Sequence, residues 1–77
     1  METVNLLERI THDAEVMGGK PCIRGLRVTV GTIIGLLASG RTMDEILDAY
    51  PYLEAADLHA ALAYAALRTE EVELPLH

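Results

Sequence analysis

Gly18-Gly19-Lys20-Pro21-Cys22-Ile23-Arg24-Gly25-Leu26-Arg27-Val28-Thr29-Val30 is the stretch whose reading decides the fold. Three glycines and a proline fall within eight residues, and three of the six basic side chains of the chain sit among them. Glycine reaches backbone angles that other residues resist, and proline fixes its own angle while removing a donor. The pattern therefore predicts a turn at residues 17–21, with extended pieces at Ile10, Val16, Cys22-Ile23 and the alternating Leu26, Val28 and Val30.

Beyond this stretch the apolar period changes from two to that of a helix. Val30, Ile33, Ile34 and Leu37 recur at i, i+3, i+4 and i+7, and Gly40 stands where a C-terminal cap belongs, so a first helix is expected over 30–39. Thr42-Met43-Asp44-Glu45 has the form of a capping box, and Met43, Ile46, Leu47 and Tyr50 repeat the helical spacing. Pro51 holds Tyr50 away from helical angles, which places a second helix at 43–50. A third should run from Glu54 or Ala55 to Arg68. It carries two apolar stripes, Leu58/Ala61/Leu62/Ala65 and Ala60/Ala63/Tyr64/Leu67, on opposite sides of the axis. The first is expected to face the other helices, and the second to meet the N-terminal strands or a second chain.

The coarse architecture is thus mostly α: a β and turn region at 9–30, three short helices at 30–68, and an acidic tail at 69–77, all in one domain. Val72, Leu74 and Leu76 alternate in the tail, compatible with a short strand or a binding segment.

At 77 residues with 51% hydrophobic residues but no Phe or Trp, the core must be aliphatic, and a domain of this size buries only about 60% of its unfolded surface. Oligomerisation, a homodimer first, would add to its stability. A single cysteine, Cys22, excludes an internal disulfide and reads as a small buried hydrophobe in a reducing cytosol. No apolar run approaches the roughly 20 residues of a membrane span and no leader-like pattern opens the chain, so a soluble cytoplasmic protein is expected.

The net charge of −6 is unevenly placed. Residues 1–41 hold five basic against four acidic groups; residues 42–77 hold Arg68 alone against eight acids. Any polyanion should meet the first half, where Lys20, Arg24, Arg27 and Arg41 are the candidate nucleic-acid contacts. The alternative for each is a solvated surface charge or a partner for an acid.

Other chemistry reads poorly. A phosphate loop needs its lysine at the entrance of a helix, whereas Lys20 is followed by Pro21 and extended residues. His12 and Asp13 are adjacent in an extended stretch, so their side chains diverge and cannot share a proton. His12, His59, His77 and Cys22 lack metal-ligand spacing. No enzyme, cofactor or metal is expected. The second and third helices are ordered like a helix-turn-helix, but the third offers Asp57, His59, alanines and Tyr64 where a base-reading helix offers Arg, Lys, Asn or Gln. A protein-contact role through Ala60, Ala63, Tyr64 and Leu67 fits it better.

Ile10, Asp13, Gly18-Gly19-Lys20-Pro21, Cys22-Ile23, Arg24-Gly25-Leu26-Arg27, Val28-Thr29-Val30 and Tyr50-Pro51-Tyr52-Leu53 together resemble the recurring pattern of a small bacterial family, domain of unknown function 433. The resemblance spans roughly residues 9–67. It implies a homeodomain-like trihelical fold with an N-terminal β element, a dimer, and a role like that of Vap-type antitoxins, which neutralise a PIN-like ribonuclease and repress their own operon. Two departures stand out: Cys22 replaces an aliphatic residue, and Glu54 replaces the Thr or Ser that would cap the third helix, a change worth around 1 kcal/mol. The other readings are a stand-alone helix-turn-helix DNA-binding regulator and a purely structural dimerisation module.

Overall fold

The computed structural model describes residues 3–69. The tail beyond Thr69, with the strand or binding segment expected at Val72, Leu74 and Leu76, lies outside the described residues. Helix α1 (Thr3–Leu7) precedes two short strands, β1 (Ile10–Thr11) and β2 (Cys22–Ile23); α2 (Val30–Ala38), α3 (Met43–Ala49) and α4 (Ala55–Thr69) follow. The protein is mostly helical, with a two-stranded antiparallel sheet in which Ile10 pairs with Ile23 and Thr11 with Cys22.

The sheet is short because the chain turns twice in quick succession. Met17, Gly18 and Gly19 all take positive φ, forming the turn expected there. Arg24 and Gly25 then take φ of 46° and 73°, and the Leu26 amide donates to the Ile23 carbonyl at 2.7 Å. Positive φ at both central residues is the signature of the type I′ hairpin turn. Leu26, Val28 and Val30 therefore do not extend a strand, as their alternation had led us to expect. Val28 accepts from the Ile23 amide, Thr29 bridges to Cys22, and Val30 already opens α2. Val16 likewise lies in the turn.

Helix ends follow local chemistry. Thr29 caps α2 by accepting from the Thr32 amide at 3.0 Å. At the other end Gly40, at φ +99°, donates to Leu37 while Arg41 donates to Leu36, a complete Schellman closure. Gly40→Ala would force a Cβ into left-handed backbone and should cost about 1 kcal/mol, read as a lower urea midpoint at unchanged slope. In α3 both halves of the capping box form: Thr42 accepts from the Glu45 amide at 3.1 Å, and Glu45 accepts from the Thr42 amide at 2.9 Å. Thr42→Ala should cost about 1 kcal/mol by the same measurement.

The core gathers Ile23, Val28, Val30, Ile33, Ile46, Leu53, Leu58 and Ala61 from the hairpin and α2 through α4. Cys22 is buried and free, as its type leads one to expect. Helices α1 and α2 both pack on α4, which makes α4 the central element. Among the described residues there are four α-helices where three were expected: α1 is too short for its apolar spacing to register in the sequence.

Candidate functional site

Asp57 sits at the third position of α4 and is 0% exposed. A buried carboxylate is costly unless paired and hydrogen-bonded, and here four donors reach it. Arg24 binds it with both ends of a fork, Nε to Oδ1 at 3.0 Å and Nη2 to Oδ2 at 2.9 Å. Arg9 Nη1 donates to Oδ1 at 2.9 Å, and the Glu54 backbone amide donates to Oδ2 at 2.8 Å. Burial pushes the carboxyl up, but the Arg24 fork, the Glu54 amide and Arg9 outweigh it and hold Asp57 below its ordinary range. Bonds to Glu54 and Asp57 raise Arg9, and the bond to Asp57 raises Arg24, so both guanidiniums stay charged.

The cluster joins distant parts of the chain. Arg24 rides the hairpin turn and also donates from Nη2 to the Tyr52 carbonyl at 3.0 Å, tying that turn to the segment between α3 and α4. Arg9 also reaches Glu54 Oε1 at 2.7 Å. Glu54 thus spends its side chain on Arg9 rather than on capping α4. The backbone amide of Glu54 itself donates to Asp57, three residues on, which supplies the reciprocal half of a capping box.

The four basic candidates are not brought together. Arg24 is exposed, its side chain to 37%, but its fork is filled by the chain's own Asp57, which favours for it the alternative of a partner for an acid over a nucleic-acid contact. Lys20, Arg27 and Arg41 are exposed. Lys20 adjoins the start of α2, because the Val30 amide donates to the neighbouring Pro21 carbonyl, whereas Arg41 follows the end of that helix. Nine helical residues separate them, about 13 Å at the usual rise.

The α4 interface residues are corrected too. Ala60 is 0% exposed and cannot meet a partner. Tyr64 is half-buried against the core, and its hydroxyl lies 3.1 Å from His12 Nε2. Ala63 is half-buried, and Leu67 is exposed. Conversely Leu62, assigned to the core-facing stripe, is 43% exposed. Leu58 and Ala61 of the first stripe face the core as expected, while Ala60 and Tyr64 of the second turn inward, Tyr64 toward His12, so the buried arc draws on both stripes and centres on Asp57, Leu58, Ala60 and Ala61. The open face runs instead through Ala55, His59, Leu62 and Ala66, spaced four, three and four residues apart.

His12 and Asp13 part company as expected, Asp13 accepting from the Glu15 amide at 2.9 Å. Among the described residues no three His, Cys, Asp or Glu side chains are grouped to hold a metal, and no helix is long and apolar enough to cross a membrane.

The fold and cluster define a small helical module in which a β-hairpin is ionically locked to the longest helix. The chain belongs to the family described as protein of unknown function, DUF433, whose pattern it matches over residues 10–65. It is similar to a DUF433 member protein from Anabaena variabilis solved by crystallography, with 35% identity and a TM-score of 0.76 over 88% of this chain and 68% of that one. It is also 34% identical to the uncharacterized protein y4eO of Sinorhizobium fredii over 58 residues, 75% of this chain. The matched region spans about a quarter, 26%, of that relative's length.

Proposed function

We propose that this protein is a non-enzymatic, antitoxin-like binding module that holds and neutralises a PIN-like ribonuclease in the cytoplasm. The observation that carries the reading is the surface of α4. In a helix-turn-helix used on DNA this helix would present cations or amides to base edges, whereas here its open face is Ala55, His59, Leu62 and Ala66. Such a face favours a protein surface. The family resemblance supplies the class of partner.

Operator binding is the second reading. Exposed Lys20, Arg27 and Arg41 favour it, and sequestration of Arg24 counts against it. Co-expression with the product of the adjacent gene tests the first reading: the two should co-elute, and ribonuclease activity should fall in the complex. A neighbour that neither co-elutes nor loses activity ends it. For operator binding, Arg27→Ala should lower the salt slope of DNA affinity by about one while leaving stability unchanged, and DNA affinity indifferent to Arg27→Ala and Arg41→Ala removes that reading.

A further inference from the structure

We infer that Met17 is an oxidation site, its thioether accepting one oxygen atom from a peroxide while Met43 and Cys22 are spared. The inference stands apart from the partner reading above. Thiols and thioethers are the side chains that mild peroxides attack first, and among the described residues Met17, Cys22 and Met43 carry them. Burial separates the three. Cys22 is 1% exposed, and its thiol donates to the Lys20 carbonyl at 3.3 Å. Met43, at the start of α3, is half-buried and packs against the core. Met17 is 39% exposed and lies outside that core.

The backbone holds it there. Met17, Gly18 and Gly19 follow one another at φ 53°, 69° and 85°, and backbone bonds close the turn around them. The Val16 amide donates to the Asp13 carbonyl at 2.9 Å, the Gly19 amide to Val16 at 3.1 Å, and the Lys20 amide to Met17 at 3.3 Å. None of these bonds uses the Met17 side chain, so a change of its chemistry leaves the turn closed. In the step itself the sulfur lone pair attacks one oxygen of hydrogen peroxide. The S–O bond forms as the O–O bond breaks, and sulfur gives up the two electrons by which the peroxide is reduced. The departing hydroxide takes the proton from the transferred oxygen and leaves as water. The product is a polar, chiral sulfoxide, which methionine sulfoxide reductases return to the thioether. An oxidant thus changes the surface of this turn reversibly and leaves the fold intact.

Timed treatment of the full chain with hydrogen peroxide, followed by trypsin and fragment-ion mass spectrometry, tests the inference. Met17 sulfoxide should form about fivefold or more faster than Met43 sulfoxide in the folded chain, and the two rates should converge in denaturing urea. Cys22 should still titrate as a free thiol once the treated protein is unfolded. The protein oxidised at Met17 should melt within about 2 °C of the untreated one. Met17→Leu should remove the early gain of one oxygen from the tryptic peptide 10–24, which holds Met17 and Cys22 as its only sulfur residues. Equal rates for Met17 and Met43 in the folded chain overturn the inference, as does loss of the Cys22 thiol ahead of Met17. So does an oxygen gain in peptide 10–24 that persists in Met17→Leu, or a melt that Met17 oxidation lowers in wild type and that the same treatment leaves unchanged in Met17→Leu.

Discussion

Asp57→Ala is expected to destabilise the fold more than any other single change in the cluster. The substitution removes the anion shared by Arg9, Arg24 and the Glu54 amide, so Arg24 loses its fork, Arg9 keeps Glu54 alone and a helix-end donor is orphaned. Stranding a buried charge typically costs about 3–5 kcal/mol, but the guanidiniums left here are 31% and 37% exposed, so the loss should be about 2–3 kcal/mol, a large share of what a domain of this size has. Asp57→Asn keeps the shape and an acceptor but not the charge, and should cost about half as much. Chemical denaturation of both variants reads the difference.

The same carboxylate sets the acid limit of the fold. Its folded-state value lies below the ordinary 3.8, so the ionised form is the one the native state prefers. The contribution is therefore complete above the ordinary aspartate range and is lost as pH falls through the lower folded value. Wild type should lose stability on acidification below about pH 4, and Asp57→Asn should show a flatter profile there.

Arg24→Met is the second large effect, expected at about 2 kcal/mol. It lies below the range for a fully buried pair because the Arg24 side chain is 37% exposed and Arg9 remains on the carboxylate. A partial compensation is available. Arg24 occupies left-handed backbone at φ 46°, so Arg24→Gly loses the fork but relieves about 1 kcal/mol of that strain and should be the milder variant. Thermal unfolding of Arg24→Met, Arg24→Gly and wild type orders them. If Arg24 were instead a nucleic-acid contact, both variants would melt with wild type.

The sequence was most legible where structure is decided locally. Helices expected at 30–39, 43–50 and 54 or 55 to 68 are observed as Val30–Ala38, Met43–Ala49 and Ala55–Thr69. Gly40, Thr42 and Glu45 act within one turn of themselves, so their types announce their roles. Arg24-Gly25 was legible as a break, but not as a turn tight enough to end the alternation at Leu26.

What stayed hidden depends on distance along the chain. Asp57 reads locally as an acid favouring a helix N-terminus, while its partners Arg24 and Arg9 lie 33 and 48 residues away. One signal was present: Asp57 falls on the same helical arc as Leu58, Ala60 and Ala61, and an acid among buried apolar positions requires a cation. That requirement is met by Arg24 and Arg9, which reach in from the surface to the buried carboxylate. α1 escaped because five residues hold too little periodicity to distinguish a helix.

The basic hairpin serves the fold by gripping Asp57 through Arg24. A double-mutant cycle on Arg24→Met and Asp57→Asn, followed by urea denaturation, tests it most directly. The two losses should be strongly non-additive, with a coupling of about 1–3 kcal/mol. Additive losses, with coupling indistinguishable from zero, would contradict the claim and return Arg24 to the solvent-facing surface.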